Sequence, residues 1–309
     1  MTDLKKCLDY PDNYARLNLY NQNITEEDLK KLASILKINE TILILDISAN
    51  KITNIKDISE ALDGNSYLEE LKLWNNRIGD IGVISLSEAL KTNNSLTALD
   101  IGDNQIRSPG AIALSDAINI NETLTILKLD NNYIKALGAI TLSEALKYNT
   151  SLTYLDLRGN QIGNEGVIAI SQALAKNDCL TILILNCNNI SDIGAKALSK
   201  MLIINQRLIS LELESNKIGD DGAIDLCKAF EINKTLIHLD LEYNNIGDIG
   251  VTNIQLLFKK NNNLTGFFGN QINYEDFHCL KDSYIEEIIG INKEENVIED
   301  LTTPQSEFD

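Results

Sequence analysis

Two histidines, five cysteines and a surplus of carboxylates are the groups in this sequence from which chemistry could be built. His238 stands two residues before Asp240, so on an extended strand both point the same way, and a His–carboxylate pair can move a proton. Ser210 lies 28 residues before His238. It lacks the sharp strained turn that usually presents a nucleophile, which leaves hydrolysis through His238 and Asp240 as the weakest reading. The cysteines Cys7, Cys179, Cys187, Cys227 and Cys279 are odd in number and form no CxxC pair. That pattern suits free thiols in a reducing cytosol. Cys187 has no basic neighbour in its own stretch to activate it. Glu212, Glu214, Asp240 and Glu242 repeat a two-residue spacing 28 residues apart. Carboxylate oxygens suit Ca²⁺ or Mg²⁺, yet no loop-like ligand spacing accompanies them, so no metal and no cofactor is expected.

The elements that position these groups follow from a repeat. The segment Leu152-Thr-Tyr-Leu155-Asp-Leu157-Arg-Gly-Asn160-Gln-Ile162 recurs along the chain. Its central leucine returns at Leu71, Leu99, Leu127, Leu155, Leu183, Leu211 and Leu239, every 28 residues. A fixed period in the twenties marks a solenoid, whose units touch only their neighbours. An asparagine column runs Asn50, Asn76, Asn104, Asn132, Asn160, Asn188, Asn216 and Asn244. Set among leucines, these amides need backbone partners, which implies an asparagine ladder. The second unit is two residues short. Each Asn-x-Ile precedes a helix, with Asp80, Ser108, Asp192, Asp220 and Asp248 in the N-cap column. Pro109 suits a first helical position. A glycine column from Gly82 to Gly250 implies close backbone approach, and it contains no phosphate loop. Thr25-Glu-Glu-Asp28 reads as a capping box. Sequons such as Asn93-Asn-Ser95, Asn121-Glu-Thr123 and Asn149-Thr-Ser151 fall at one place in the repeat and read as turn chemistry between helix and strand.

Four segments follow. Residues 1–13 are expected to form an N-terminal cap, with a short helix over Leu4 and Leu8 ended by Pro11. Residues 14–272 are the solenoid, 273–292 a C-terminal capping helix, and 293–309 an acidic, disordered tail. Acidic residues number 45 against 27 basic, a net charge of −18. That excess argues against nucleic acid and against anionic membrane surfaces. Met1–Cys7 has no apolar signal core, and no apolar run reaches about 18 residues, which points to a cytoplasmic protein.

The unit Leu-x-x-Leu-x-Leu-x-x-Asn-x-Ile, with a 28-residue period and a helical return leg, resembles the ribonuclease-inhibitor-like subfamily of leucine-rich repeats. The resemblance implies an α/β, right-handed solenoid (a horseshoe) of about ten 26–28-residue repeats. It places a parallel sheet on the concave face and helices on the convex face. The resemblance is unspecific for function, and the reading adopted beside it is a non-enzymatic protein-interaction module. The family also contains a GTPase-activating protein, so regulation of a small GTPase is the second reading. Effectors of intracellular bacteria share the fold. The Ile-, Asn- and Lys-rich composition resembles that of an AT-rich genome, the acidic tail with Glu286-Glu287 and Glu294-Glu295 resembles the C-terminal secretion signals of such effectors, and such a protein would enter the host cell without a classical signal peptide.

Alternation along the strands sends Tyr154, Asp156 and Arg158 to the inner face and gives the register of every unit. The central column reads Asn18, Asp46, Lys72, Asp100, Lys128, Asp156, Ile184, Glu212, Asp240. Its alternating charges from Asp46 to Asp156 are expected to pair with one another. The alternation then fails at Glu212, Glu214, Asp240 and Glu242, and like charges side by side destabilise a sheet unless a cation offsets them. The expected partner surface combines these carboxylates with His238 and Arg158. Tyr154, Ile182, Ile184 and Tyr243 serve as exposed apolar contacts, and Trp74 as an inward-projecting anchor. The partner expected is a basic or mixed-charge protein, bound by a monomer.

Overall fold

A strand of three residues, a tight turn and a helix cannot bury their leucines alone, so each unit lies against the next. The computed structural model describes residues 10–260 and 266–268. Ten strands form one parallel sheet in chain order. They are β1 (Arg16–Asn18), β2 (Ile44–Asp46), β3 (Glu70–Lys72), β4 (Ala98–Asp100), β5 (Ile126–Lys128), β6 (Tyr154–Asp156), β7 (Ile182–Ile184), β8 (Ser210–Glu212), β9 (His238–Asp240) and β10 (Gly266–Phe268). A helix follows each of β1 to β9, from Glu26–Leu36 to Asp248–Lys260. The leucine column pairs in register, Leu45 with Leu71, Leu71 with Leu99 and so on to Leu239. The shortened second unit keeps that register. Its helix Lys56–Gly64 has nine residues where Gly79–Leu90 has twelve, so the deletion falls on the return leg.

One continuous apolar core runs between sheet and helices, with Leu71, Leu99, Leu127 and Leu155 all at most 1% exposed. The polar groups inside it are satisfied by two amide ladders. In the first, Asn132 Oδ1 accepts from the backbone N–H of Asn104 (3.0 Å) and Ile106 (2.9 Å), while Nδ2 donates to the carbonyls of Leu129 and Ile101. The same pattern recurs down the column, as the sequence requires. The second ladder holds the helix-to-strand turns. Asn93 Oδ1 accepts from Ser95 N and Leu96 N, and its Nδ2 donates to Leu62 O and Asn65 O in the unit before. Asn121 and Asn149 do the same. The sequon asparagines are therefore buried turn residues, and the reading as turn chemistry holds.

The N-cap column works differently from expectation. Asp80, Asp192, Asp220 and Asp248 lie inside the first turn of their own helices. Three of them reach forward and cap the next one. Asp192 Oδ1 accepts from Gly219 N (2.6 Å) and Gly222 N (3.0 Å), and Asp80 and Asp220 act likewise on Arg107/Gly110 and Gly247/Gly250. Side-chain oxygens do satisfy free helix N–H groups, but across units, so they also stitch the stack. The glycine column makes room for this. A Cβ on Gly222 would stand 2.6 Å from Asp192 Oδ1 and 2.8 Å from Ile218 Cγ2. Thr25 and Asp28 form the expected capping box.

At the start, Pro11–Asn13 form a 3-10 turn, and Asn39 Nδ2 donates to Asp12. The expected helix over Leu4 and Leu8 lies outside the described residues, as do the capping helix 273–292 and the tail 293–309. Among the described residues, no helix is long and apolar enough to cross a membrane.

Candidate functional site

The face of the sheet turned away from the helices carries three columns per strand, and its charge is set by lateral register. The pairings Lys72↔Asp100, Lys128↔Asp156, Ile184↔Glu212 and Glu212↔Asp240 match the order read from the sequence. The expected pairing of alternating charges does not occur. Lys72 Nζ lies 3.2 Å from Glu70 of its own strand, and among the described residues no ion pair joins Lys72 or Lys128 to an aspartate of the column. The aspartates turn to backbone instead. Asp46, Asp100, Asp156 and Asp240 each accept from the N–H two residues on, at 2.8 to 3.1 Å, and so close the turn that ends each strand.

At β6 to β9 the face changes character. Tyr154, Ile182 and Ile184 pack together, with Ile126 against them. They were expected as exposed contacts, and this is a correction: Tyr154 is 8% exposed, Ile182 1% and Ile184 3%. Three large side chains in adjacent registers cover one another and form a small second core on the open face. Burial also raises the Tyr154 hydroxyl far above the usual phenol range, with Asp156 and Glu212 adding to the effect.

The carboxylates lie around this apolar island. Glu212 is only 8% exposed. Its Oε2 accepts from Asn186 Nδ2 at 2.9 Å and sits 3.7 Å from Arg158, two strands away. Its counter-charge thus comes from outside β8 and β9, whose own strands carry no lysine or arginine. Arg158 reaches past β7 to a carboxylate on β8. Asn186 also accepts from Glu214 N (3.0 Å), and its amide lies 3.4 Å from Glu214 Oε2. Asn186 was not singled out from the sequence, although it occupies the column of Arg158, Glu214 and Glu242. Burial lowers the Arg158 guanidinium, but Asp156, Glu212 and Asp130 outweigh that and hold it above its ordinary value.

Two aspartates flank the island. Burial pushes the Asp156 carboxyl up to about 7, against the pull of the Arg158 N–H and charge, with Asp130 and Glu212 raising it further. Burial likewise pushes Asp240 up to about 7, opposed by the Glu242 N–H and reinforced by Glu212, Glu242 and Glu214. Tyr243, three residues after Asp240 on the turn that follows β9, is 63% exposed. Arg158, Glu212, Glu214, Asp240 and Glu242 thus lie within electrostatic reach of one another, linked through Glu212 and Asn186.

Trp74 is not part of this group. It is half-buried on the turn after β3, with its Cδ1 against the bare backbone of Gly102. Five strand spacings separate it from β8, about 24 Å at the usual distance. His238 is half-buried and pairs in register with Ser210. Ser210 Oγ is buried without a hydrogen-bond partner, so no Ser–His pair forms here. Cys227 is pushed up to about 12 by burial, while Cys187 is exposed on a left-handed turn residue. Among the described residues no three His, Cys, Asp or Glu side chains converge as metal ligands.

Residues 51–140 match the TMOD/LMOD Leucine-rich domain family, and residues 148–171, 176–199, 205–227 and 233–254 match the Leucine Rich repeat family. The chain is built of leucine-rich repeats. No curated protein matches its sequence. Among solved structures, "Leiomodin-1 Actin-Binding Site 2 (ABS2)" is similar at 24% identity and a TM-score of 0.36, over 50% of this chain and 76% of that chain. The two family matches reach leucine-rich repeats as a class, which is broader than the ribonuclease-inhibitor-like subfamily.

Proposed function

We propose that this leucine-rich-repeat chain is a protein-binding module whose open sheet face, at β8 and β9, receives a basic or mixed-charge protein. The observation that carries the reading is the register of Glu212 opposite Asp240, with Glu214 and Glu242 at the next open-face positions. Arg158 lies at Glu212, at the edge of this group, and Asp240 is held toward its neutral form by burial and by its acidic neighbours. A partner's arginine or lysine would stabilise the ionised cluster. Tyr243 supplies an exposed aromatic edge and Arg158 a counter-charge for an acid on the partner. The 28-residue period with full helical legs supports placement in the ribonuclease-inhibitor-like subfamily.

The test is affinity capture with the wild-type chain and with a Glu214→Gln, Asp240→Asn, Glu242→Gln variant, followed by binding curves for the captured protein. Rim carboxylates act mainly through long-range charge. The variant is expected to bind at least about tenfold more weakly near 0.1 M salt, and the gap should close near 1 M, where the Debye length falls to about 3 Å. Equal loss at both salt concentrations would count against charge recognition.

A further inference from the structure

The helical side of the third, fourth and fifth units presents an apolar surface that the sheet face does not explain. Residues three apart on a helix share a face. In the helices Gly79–Leu90, Ser108–Ile118 and Lys135–Leu146, the pairs Ile81/Ile84, Pro109/Ile112 and Leu137/Ile140 are all exposed. Ile81 is 86% exposed and Leu137 59%. Neighbouring helices pack about 8–10 Å apart, so the six side chains make one strip across three units. Charged residues bound it, with Lys56 and Glu60 on the helix before and Glu165 on the helix after. A contiguous apolar strip rimmed by charge marks an interaction site, whereas single exposed aliphatics do not.

At the N-terminal ends of these helices the strip meets a depression of about 610 Å³, lined by Arg107, Ser108, Pro109, Tyr133, Lys135 and Gln161. Pro109 belongs to both. Arg107 and Lys135 are exposed, and among the described residues neither makes an ion pair. Two such cations side by side stand out in a chain of net charge −18. Lys135 has a left-handed backbone, φ 58°, at the position where Gly79 and Gly163 carry glycine. A side chain is thus kept there at a conformational cost. On the far edge Glu88, Asp116 and Glu144 are exposed in a row, with Glu88 paired to Lys91 at 2.6 Å.

We propose that the strip and the depression form a second docking surface, for an amphipathic segment of another protein. That segment carries an aliphatic stripe and, along one edge, carboxylates that meet Arg107 and Lys135. The row Glu88, Asp116, Glu144 sets its direction, because a segment acidic on both edges would place carboxylate against carboxylate. This surface is independent of the sheet-face reading.

The probe is a labelled synthetic peptide with a leucine stripe, glutamates along one edge and glutamines elsewhere, titrated against the full chain. Saturable binding is expected, weakened at least about tenfold in an Arg107→Gln, Lys135→Gln variant. A comparable loss is expected in an Ile81→Ser, Leu137→Ser variant. A peptide with lysine in place of glutamate should bind at least tenfold more weakly. All four substituted side chains are exposed, so both variants should keep the wild-type melting temperature, measured in parallel. No saturable binding, equal affinity for the two peptides, or full affinity in either variant would overturn the proposal. So would concentration-dependent self-association that the Ile81→Ser, Leu137→Ser variant abolishes, since the strip would then serve a second copy of the chain.

Discussion

Asp156 is a carboxylate placed where ionisation is costly. Its folded-state pKa of about 7 lies above the ordinary 3.8, chiefly through burial. Between those values the folded chain binds more protons than the unfolded one, so stability falls as pH rises from about 4 through about 7. Asp240 acts in the same sense, and Asp100, pushed to about 6 by burial, does so over a slightly lower window. Acidification from pH 8 to pH 5 is therefore expected to raise the unfolding midpoint. Asp156→Asn keeps an oxygen for the Arg158 N–H and removes the buried charge. It should stabilise the chain by on the order of 2 kcal/mol at pH 8 and by little at pH 5, as read by urea denaturation at the two pH values. Equal effects at both pH values would show that the carboxyl is already ionised without penalty in the fold.

The repeat unit is held by side chains that reach into the next unit, and this has separate consequences for sheet edge and helix. Asn132→Ala leaves the N–H groups of Asn104 and Ile106 and the carbonyls of Leu129 and Ile101 without their partner. Buried unsatisfied groups cost about 1–3 kcal/mol each, so a loss of at least about 3 kcal/mol is expected in chemical denaturation. Asp192→Ala should cost only about 1 kcal/mol. Its location is the informative part: hydrogen exchange should quicken in the first turn of Asp220–Ile232, at Gly222, and not in Asp192–Ile204. Quickening confined to Asp192–Ile204 would restore the reading of Asp192 as a cap of its own helix. That direction was not legible in the sequence, because a column of aspartates looks the same whether each serves its own helix or the next. The two asparagine ladders were legible, since an amide repeated among leucines has few ways to be satisfied.

Across the whole molecule, a fixed period and a two-residue alternation were enough to order the sheet and to place Glu212 opposite Asp240. They could not show which open-face residues are covered. Tyr154, Ile182 and Ile184 are buried because three bulky side chains happen to be lateral neighbours, and Arg158 meets Glu212 across an intervening strand. Lateral packing of that kind depends on side-chain size and reach, which a strand-by-strand pattern does not contain. The proposed docking surface is correspondingly smaller and more acidic than the sequence alone suggests, with Glu214, Asp240, Glu242 and Tyr243 as its proposed centre. The most direct measurement is the affinity of the captured basic protein for the wild-type chain and for the Glu214→Gln, Asp240→Asn, Glu242→Gln variant near 0.1 M salt. At least about a tenfold loss is expected from removing carboxylates that steer and hold a cation. Unchanged affinity, with the fold intact, would contradict the assignment of this face as the docking surface.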